Sequence, residues 1–200
     1  KIARYQQYFA VEKVMERVRN IEGGRRKGGV IWHTQGSGKS LTMVLLAQAI
    51  LLDKSIKNPR IILVTDRTDL DRQITTTFRK CQVHVENATT GSNLVKLLES
   101  KSSTVITTII NKFETAAKAK FKIADSNIIL LVDESHRSHT KDLHNYMVET
   151  LPNAIKLGFT GTPLLKEEVA TYKKFGPIIG NPYKFADGIR DGVIVPLVYE

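Results

Sequence analysis

The segment from His33 to Ser40 (HTQGSGKS) constrains the fold more than any other part of this chain, because it joins an apolar run to a helical one. Residues 30–32 have the composition of a buried strand, and the apolar residues from Leu41 to Leu52 are typical of a helix. A strand that leads through a glycine-bearing loop into a helix directs backbone N–H groups and a helix N-terminus at one point. That arrangement suits a phosphate group.

The residues of this loop have distinct expected roles in binding a nucleotide. Gly36 and Gly38 allow a positive φ and a close approach of the backbone to phosphates. We expect Lys39 to reach the β- and γ-phosphates and the Ser40 hydroxyl to ligate Mg²⁺. His33 stands where the strict P-loop pattern has glycine or alanine, so a glycine-rich turn that only caps a helix is the alternative. The predicted ATP-binding residues of the loop are Thr34, Gln35, Gly36, Ser37, Gly38, Lys39 and Ser40.

A second motif follows the most apolar predicted strand, residues 127–132. Asp133 and Glu134 come directly after this strand, at the kind of sheet edge where open α/β folds bind ligands. We expect Asp133 to hold Mg²⁺ and Glu134 to orient and deprotonate the attacking water. The predicted catalytic residues are therefore Lys39, Asp133 and Glu134, and the predicted Mg²⁺ ligands are Ser40 and Asp133. Taken alone, an Asp-Glu pair at a strand end also fits charges placed at a helix N-terminus.

Strands and helices alternate along the whole chain. This order predicts an α/β fold with a doubly wound, mostly parallel sheet and helices on both faces. A weak strand is predicted at residues 83–85 and a last strand, leading out of this domain, at residues 194–199. Residues 23–29 form a predicted flexible, basic loop. The stronger predicted strands are residues 30–32, 60–66, 104–110, 127–132 and 154–160.

Composition bounds the class of protein. The chain has 200 residues, enough for one large domain or a piece of a longer protein, and its start at Lys1 rather than Met favours a piece. The single cysteine, Cys81, allows no intrachain disulfide, and no apolar run is long enough to cross a membrane, so we expect a cytoplasmic protein. Thirty Lys and Arg against 20 Asp and Glu give a net charge of +10, which indicates a nucleic-acid partner or, alternatively, a charge that aids solubility.

Several motifs together resemble those of superfamily 2 helicases and translocases. Asp133–His136 (DESH) resembles the D-E-x-H box, and Gly158–Pro163 (GFTGTP) resembles the third motif, which links the nucleotide site to the nucleic acid. Arg4-x-x-Gln7 resembles the glutamine motif that reads adenine, although Gln7 could also be a plain helix-surface residue. Residues 64–67 (VTDR) and 107–109 (TTI) resemble motifs that touch the nucleic-acid backbone.

This resemblance implies a P-loop, RecA-like lobe and assigns further site residues. Gln7 joins the predicted ATP-binding set. The implied coupling residues are His136, Thr160, Gly161 and Thr162. The implied DNA-contacting residues are Thr65, Arg67, Thr107 and Thr108.

The closer resemblance is to the restriction (R) subunit of type I restriction–modification enzymes. Residues 32–40 (WHTQGSGKS), 133–138 (DESHRS) and 189–192 (IRDG) are similar to that subunit, and the likeness runs from Arg4 to Tyr199. It implies the first of two motor lobes, which binds and hydrolyses ATP with Mg²⁺ to pump double-stranded DNA. It also implies partner methyltransferase and specificity subunits, and a nuclease domain and second lobe outside this chain.

Three other functions stay open at this point. The chain could be the lobe of another superfamily 2 helicase or remodeller, or a nucleotide-gated DNA-binding module without turnover. It could also be a P-loop protein that acts on no nucleic acid, although the third motif and the charge disfavour this. The intact Lys39, Asp133 and Glu134 argue against the second. The predicted division of the chain is residues 1–25 for an N-terminal helix with the glutamine motif, 26–185 for the ATPase lobe, and 186–200 for the start of a connection to further domains.

Overall fold

The chain folds around a parallel sheet. A computed structural model describes residues 3–23, 25–100, 104–133, 141–161 and 174–195. The strands are β1 (Ile21–Glu22), β2 (Arg25–Arg26), β3 (Gly29–Trp32), β4 (Arg60–Thr65), β5 (Glu86–Asn87), β6 (Val105–Ile109), β7 (Ile128–Val132) and β8 (Ile155–Thr160). The helices are α1 (Tyr5–Arg19), α2 (Lys39–Leu52), α3 (Thr68–Lys80), α4 (Gly91–Ser100), α5 (Phe113–Lys118), α6 (Lys141–Thr150) and α7 (Phe185–Arg190), and a 3₁₀ turn at Ile110–Lys112 precedes α5.

The main sheet of the described residues has six strands in the order β3-β8-β7-β4-β6-β5, and every neighbouring pair is parallel. This arrangement confirms the predicted α/β class. β4 and β7 are buried along their whole length, as expected for central strands of a parallel sheet. Because β8 lies between β3 and β7, Trp32 pairs with Thr160 and Val132 pairs with Gly158. The loops after these three strands therefore meet at one edge of the sheet.

Helices cover both faces of the sheet, since alternate side chains of each strand point in opposite directions. In β7, Ile129 and Leu131 belong to a core cluster that includes residues of α1, α2 and α3. Leu130 and Val132 belong to a second cluster that includes residues of α4, α5 and α6. The helix α1 thus packs within the same core as α2. The predicted division of the chain at residues 25 and 185 stays a prediction.

Two local predictions were wrong. Arg25 and Arg26, which belong to the predicted flexible, basic loop, form β2 and pair antiparallel with β1. Arg26 also donates to the carbonyls of Val18 at 2.9 Å and Ser55 at 2.6 Å. The weak strand expected at residues 83–85 lies at β5 instead, paired with β6. Ile194 and Val195, the described part of the expected last strand, are not in a strand.

The segment before α7 lies along the exposed edge of β3. Val30 donates to the Pro177 carbonyl at 2.9 Å, and Ile179 donates to the Val30 carbonyl at 2.8 Å. Tyr183 donates to the Trp32 carbonyl at 2.8 Å. These bonds satisfy backbone groups that an uncovered edge would leave open to another chain. They also bring α7 beside the loop that follows β3. No helix of the described residues has the length and apolar character needed to cross a membrane.

Candidate nucleotide-binding site

The loop between β3 and α2 has the predicted backbone conformation. Gly36 has a φ of 83° and Gly38 a φ of 90°, both in the left-handed region that favours glycine. Gly38 is the N-cap of α2, so the helix begins at Lys39, and the N–H groups of its first turn have no acceptor within the helix. Ser37 donates from its backbone at 3.2 Å and from its hydroxyl at 2.6 Å to the Thr34 carbonyl. Ser37 therefore shapes the loop through bonds within it.

The two predicted catalytic motifs meet at this edge of the sheet. The Nζ atom of Lys39 lies 3.9 Å from Oδ1 of Asp133, and both side chains are only 9% exposed. The strand order explains the contact, because Asp133 follows β7, which is separated from β3 by β8 alone. The Asp133 amide donates to the Val64 carbonyl of β4 at 2.9 Å, which fixes the start of its loop. Glu134 lies outside the described residues.

The third motif lies against the same loop. Thr160 accepts a hydrogen bond from the His33 amide at 3.0 Å. A Cβ atom added at Gly161 would lie 3.2 Å from the Gln35 amide nitrogen and 3.5 Å from Nζ of Lys39. Of the predicted coupling residues, the structure thus brings Thr160 and Gly161 to the nucleotide site. Thr162 and His136 are outside the described residues.

Gln7 is buried at the loop rather than exposed on the helix surface. Its side chain is 2% exposed, its Nε2 atom donates to the Gly38 carbonyl at 3.3 Å, and its Oε1 atom accepts from the Arg4 amide at 3.0 Å. The alternative interpretation as a helix-surface glutamine was therefore wrong. Recognition of adenine by Gln7 stays a prediction.

His33, the residue that departs from the strict P-loop pattern, is neutral at physiological pH. Burial lowers the pKa of its imidazole from 6.5 to about 4, and the nearby charge of Lys39 lowers it further in the same direction. The ring lies 5.8 Å from that of Tyr183. Within the described residues its Nδ1 atom has no hydrogen-bond partner. His33 thus occupies the space between the loop and the segment before α7 without adding a positive charge near the phosphate site.

Comparison with known proteins identifies the family. Residues 6–200 match the family model described as SWI2/SNF2 ATPase. The chain belongs to the SWI2/SNF2 ATPase family. Membership of an ATPase family implies that the site uses a nucleotide, in agreement with the geometry of the loop after β3.

Curated relatives carry restriction-enzyme names. The type I restriction enzyme HindI endonuclease subunit of Haemophilus influenzae is 37% identical over 100% of this chain and 21% of its own length. The type I restriction enzyme SauCOLORF180P endonuclease subunit of Staphylococcus aureus is 32% identical over 94% of this chain and 21% of its own length. This SWI2/SNF2 chain therefore spans about a fifth of the length of these relatives. The predicted resemblance is confirmed.

Solved structures share the fold at low sequence identity. A nuclease-deletion mutant of the Type ISP restriction-modification enzyme LlaGI, in complex with a DNA substrate mimic, has a TM-score of 0.70 at 16% identity and covers 96% of this chain and 21% of its own. The UvsW helicase from bacteriophage T4 has a TM-score of 0.63 at 16% identity, covering 88% of this chain and 59% of its own. The RecA-like arrangement predicted for this SWI2/SNF2 ATPase is therefore confirmed.

The four residues predicted to contact DNA differ in exposure. The Arg67 side chain is 64% exposed, and its contact with DNA stays a prediction. Thr107 and Thr108 have no exposed surface and Thr65 is also buried. The Thr107 hydroxyl instead contacts the Thr75 hydroxyl at 2.9 Å, inside the lobe. Contact of DNA with Thr65, Thr107 and Thr108, through their backbone groups or side chains, also stays a prediction.

Sequence reasoning missed the residues around α7 that contact the loop. A Cβ at Gly188 would lie 3.4 Å from Cγ2 of Thr34, and one at Gly36 would lie 3.8 Å from Cγ1 of Ile194. The Thr34 amide donates to the Tyr183 carbonyl at 2.9 Å. The similarity of residues 189–192 to the restriction subunit marked this region in the sequence, but it assigned no role to these residues. The start of the predicted connection to further domains thus lies directly on the SWI2/SNF2 nucleotide loop.

Proposed function

We propose that this chain is the ATP-binding motor lobe of a type I restriction endonuclease subunit. It uses ATP hydrolysis to pump double-stranded DNA before cleavage by a nuclease domain outside the chain. The observation that carries the proposal is the contact between Lys39 and Asp133 at 3.9 Å, since it joins a phosphate-binding lysine to a metal-binding carboxylate in one site. The SWI2/SNF2 family and the names of the relatives support the remainder.

The residues at the site fit ATP with Mg²⁺. The glycine conformations and the start of α2 present backbone N–H groups to a phosphate. The Ser40 hydroxyl and the Asp133 carboxylate are oxygen donors, which Mg²⁺ prefers. Among the described residues no group of three or more His, Cys, Asp or Glu could hold a metal, and Mg²⁺ typically needs only one or two carboxylates together with substrate phosphates. When bound, Mg²⁺ neutralises charge on the β- and γ-phosphates.

The protein side chains have separate proposed tasks in hydrolysis. Lys39 binds the β- and γ-phosphates, and Glu134 orients the attacking water and accepts its proton. Gln7 reads adenine beside the loop. Thr160 and Gly161, with Thr162 and His136, pass the state of the nucleotide site to the DNA.

Several features support double-stranded DNA as the partner polymer. The net charge of +10 favours a polyanion, and the exposed Arg67 suits a phosphate contact that does not depend on sequence. The relatives are named as subunits of type I restriction enzymes. In this proposal the protein assembles with methyltransferase and specificity subunits and works in the cytoplasm.

A second candidate is the lobe of another superfamily 2 helicase or remodeller. The TM-score of 0.63 with the UvsW helicase favours this alternative, because the same fold serves a helicase there. A nuclease signature N-terminal to this segment in the full-length protein would identify a restriction endonuclease subunit. Strand separation without DNA cleavage decides for a helicase.

The test of the proposal uses the full-length protein, with ATP turnover and ATP binding measured in parallel. We expect Lys39→Ala to reduce DNA-stimulated turnover by at least about a hundredfold, since the phosphate charge loses its lysine partner. The matched control is Lys54→Ala, which removes an exposed lysine beyond α2. Turnover near that of the unsubstituted protein in Lys39→Ala would contradict the proposal.

Glu134→Gln separates binding from chemistry. We expect this variant to retain ATP affinity and to lose turnover, because an amide cannot accept the proton of the attacking water. Unchanged turnover removes Glu134 from the role of base. If DNA does not stimulate ATP turnover by the unsubstituted protein, the result favours a P-loop enzyme that acts on another substrate.

A further inference from the structure

Trp32 contacts two segments that border the nucleotide loop. It is the last residue of β3 and the only tryptophan of the chain. Its indole N–H donates to the Gly161 carbonyl at 3.2 Å, and its own carbonyl accepts from the Tyr183 amide at 2.8 Å. The ammonium group of Lys184 lies 5.5 Å from the centre of its ring. One side chain thus links β3 to the third motif and to the start of α7.

This tryptophan is not a core residue. It belongs to neither of the two hydrophobic clusters that pack against the sheet, and its side chain is only partly buried. A tryptophan retained for packing alone would lie within those clusters, where a large apolar surface is removed from water. Trp32 instead donates its indole N–H to the Gly161 carbonyl and has the Lys184 ammonium over its ring, which indicates that it positions its neighbours.

The peptide that Trp32 holds lies beside the lysine of the loop. A Cβ at Gly161 would lie only 3.5 Å from Nζ of Lys39, so the Gly161 peptide borders the space into which a γ-phosphate must fit. When Lys39 exchanges its contact with Asp133 for a phosphate, the surroundings of Gly161 change with it. A change at Gly161 reaches Trp32 through the hydrogen bond between the indole N–H and the Gly161 carbonyl.

We propose that Trp32 is a positioning residue that couples the triphosphate site to the third motif. Its indole N–H holds the Gly161 carbonyl in the orientation seen here, and triphosphate binding alters that bond. The contact with Lys184 carries the same change to the start of α7. This inference rests on the proposed function, because it requires that ATP bind at Lys39.

The first experiment uses this chain as it stands, since all tryptophan emission then comes from Trp32. ATP with Mg²⁺ is titrated to saturation, and binding is measured separately by calorimetry. We expect a change in tryptophan emission whose midpoint equals the dissociation constant from calorimetry. The Lys39→Ala chain, with the same tryptophan, shows no such change.

The two possible failures of this titration are distinct. Heat of binding without any change in emission overturns the role of Trp32 and leaves the proposed function standing. If ATP produces neither heat nor a change in emission, the proposed function fails and the inference falls with it.

The second experiment uses Trp32→Phe in the full-length protein, which keeps an aromatic ring and removes the N–H donor. We expect ATP affinity to stay within about twofold and DNA-stimulated kcat to fall about tenfold, the loss expected from one hydrogen bond. The control is Tyr146→Phe, which removes a tyrosine hydroxyl from α6, on the face of the sheet opposite α2. It should keep full DNA stimulation.

Other outcomes count against the proposal. An unchanged kcat in Trp32→Phe, or equal losses of affinity and kcat in Trp32→Phe and Tyr146→Phe, assigns Trp32 a structural role only. If Trp32→Phe does not fold, the emission titration on the unsubstituted chain decides, because it needs no substitution.

Discussion

At the scale of single residues, the contact between Lys39 and Asp133 sets the charge of the site before a nucleotide binds. Both groups are almost fully buried, and each has the other as a counter-charge at 3.9 Å. ATP with Mg²⁺ would give Lys39 a phosphate and Asp133 a metal ion, so each charge keeps an opposite charge in both states. The site is therefore organised before binding, which lowers the reorganisation required when charge develops during phosphoryl transfer.

The conformation of the loop can be tested at Gly38. Alanine there must adopt a φ of 90°, and its Cβ would lie 2.6 Å from Nε2 of Gln7. We expect Gly38→Ala to lose about 1–2 kcal/mol of unfolding free energy. We also expect a tenfold or greater loss in ATP affinity, equivalent to about 1.4 kcal/mol, measured by calorimetry.

The matched control is Gly192→Ala. Gly192 also has a positive φ, 65°, but nothing lies within 4 Å of the position of its Cβ. This variant should lose similar stability and keep its ATP affinity. If both variants lose affinity to the same extent, the effect comes from general destabilisation and the role of Gly38 in binding is wrong.

The buried His33 predicts a pH dependence of stability. Its pKa is lowered from 6.5 to about 4 in the folded chain, so the unfolded chain binds more protons between these values. The contribution of neutral His33 to the free energy of unfolding should therefore be complete above about pH 6.5. It should decrease as the pH is lowered towards about 4. The loss is on the order of 3 kcal/mol for one histidine. His144 has the same lowered pKa of about 4 and adds a similar loss.

Chemical unfolding of His33→Asn across this pH range checks the prediction. We expect about half of the pH dependence to disappear, because His144 retains its share. His84→Asn is the control, since the His84 side chain is 88% exposed. A His33→Asn chain with the same slope as the unsubstituted chain would show that His33 is protonated equally in both states.

At the scale of helices and strands, the sequence predicts elements that have strong local patterns and misses those that depend on distant contacts. The apolar runs of β4, β7 and β8 predict those strands to within a residue or two, and the glycine-bearing loop predicts the start of α2. Val83 and Val85 look like a strand but are buried in the core beside α2 and α3, and pairing with β6 begins only at Glu86. The alternating apolar side chains of Val83 and Val85 therefore pack in the core, and their backbone is not paired with a strand.

The candidate site shows the same limit. Lys39 and Asp133 were predictable, because each follows an apolar strand and parallel strands end at one edge. The contact of α7 with the loop was not, because it depends on the bonds along β3 made by residues 177–183, which have no pattern of their own. The burial of Thr107 was not predictable either, since its hydroxyl contacts Thr75 of α3, which packs over β6.

Arg60 provides a test at this scale, because one guanidinium fixes the end of a helix. It donates to the carbonyls of Leu98 at 3.0 Å and Leu97 at 2.9 Å, in the last turn of α4, and burial lowers its pKa. Arg60→Met leaves these carbonyls without that donor. We expect a loss of roughly 2–3 kcal/mol in the free energy of unfolding, measured with urea.

The control for this element is Arg72→Met, which removes an exposed arginine from α3. Its effect should stay within about 0.5 kcal/mol, as for most surface substitutions. Equal losses in the two variants would mean that the Arg60 bonds add nothing to the docking of α4.

At the scale of the whole molecule, the proposed function makes this chain one side of a nucleotide site. The loop, Lys39 and Asp133 provide groups that can bind phosphates and a metal ion. In related NTPases, an arginine from another domain or protein stabilises the charge that develops on the transferred phosphate. The resemblance to superfamily 2 motors places such arginines in a second lobe. The relatives, of which this chain spans about a fifth, have the length to contain one.

The isolated chain should therefore bind ATP and turn it over very slowly. We expect its hydrolysis rate to be at least about a thousandfold below that of the full-length protein with DNA, the factor associated with a missing arginine. Phosphate release is measured for both proteins at saturating ATP and Mg²⁺, with and without duplex DNA. Full-length Lys39→Ala gives the background rate. DNA-stimulated turnover by the isolated chain at the full-length rate would show that one lobe contains the whole catalytic site, and the two-lobe account of this motor would be wrong.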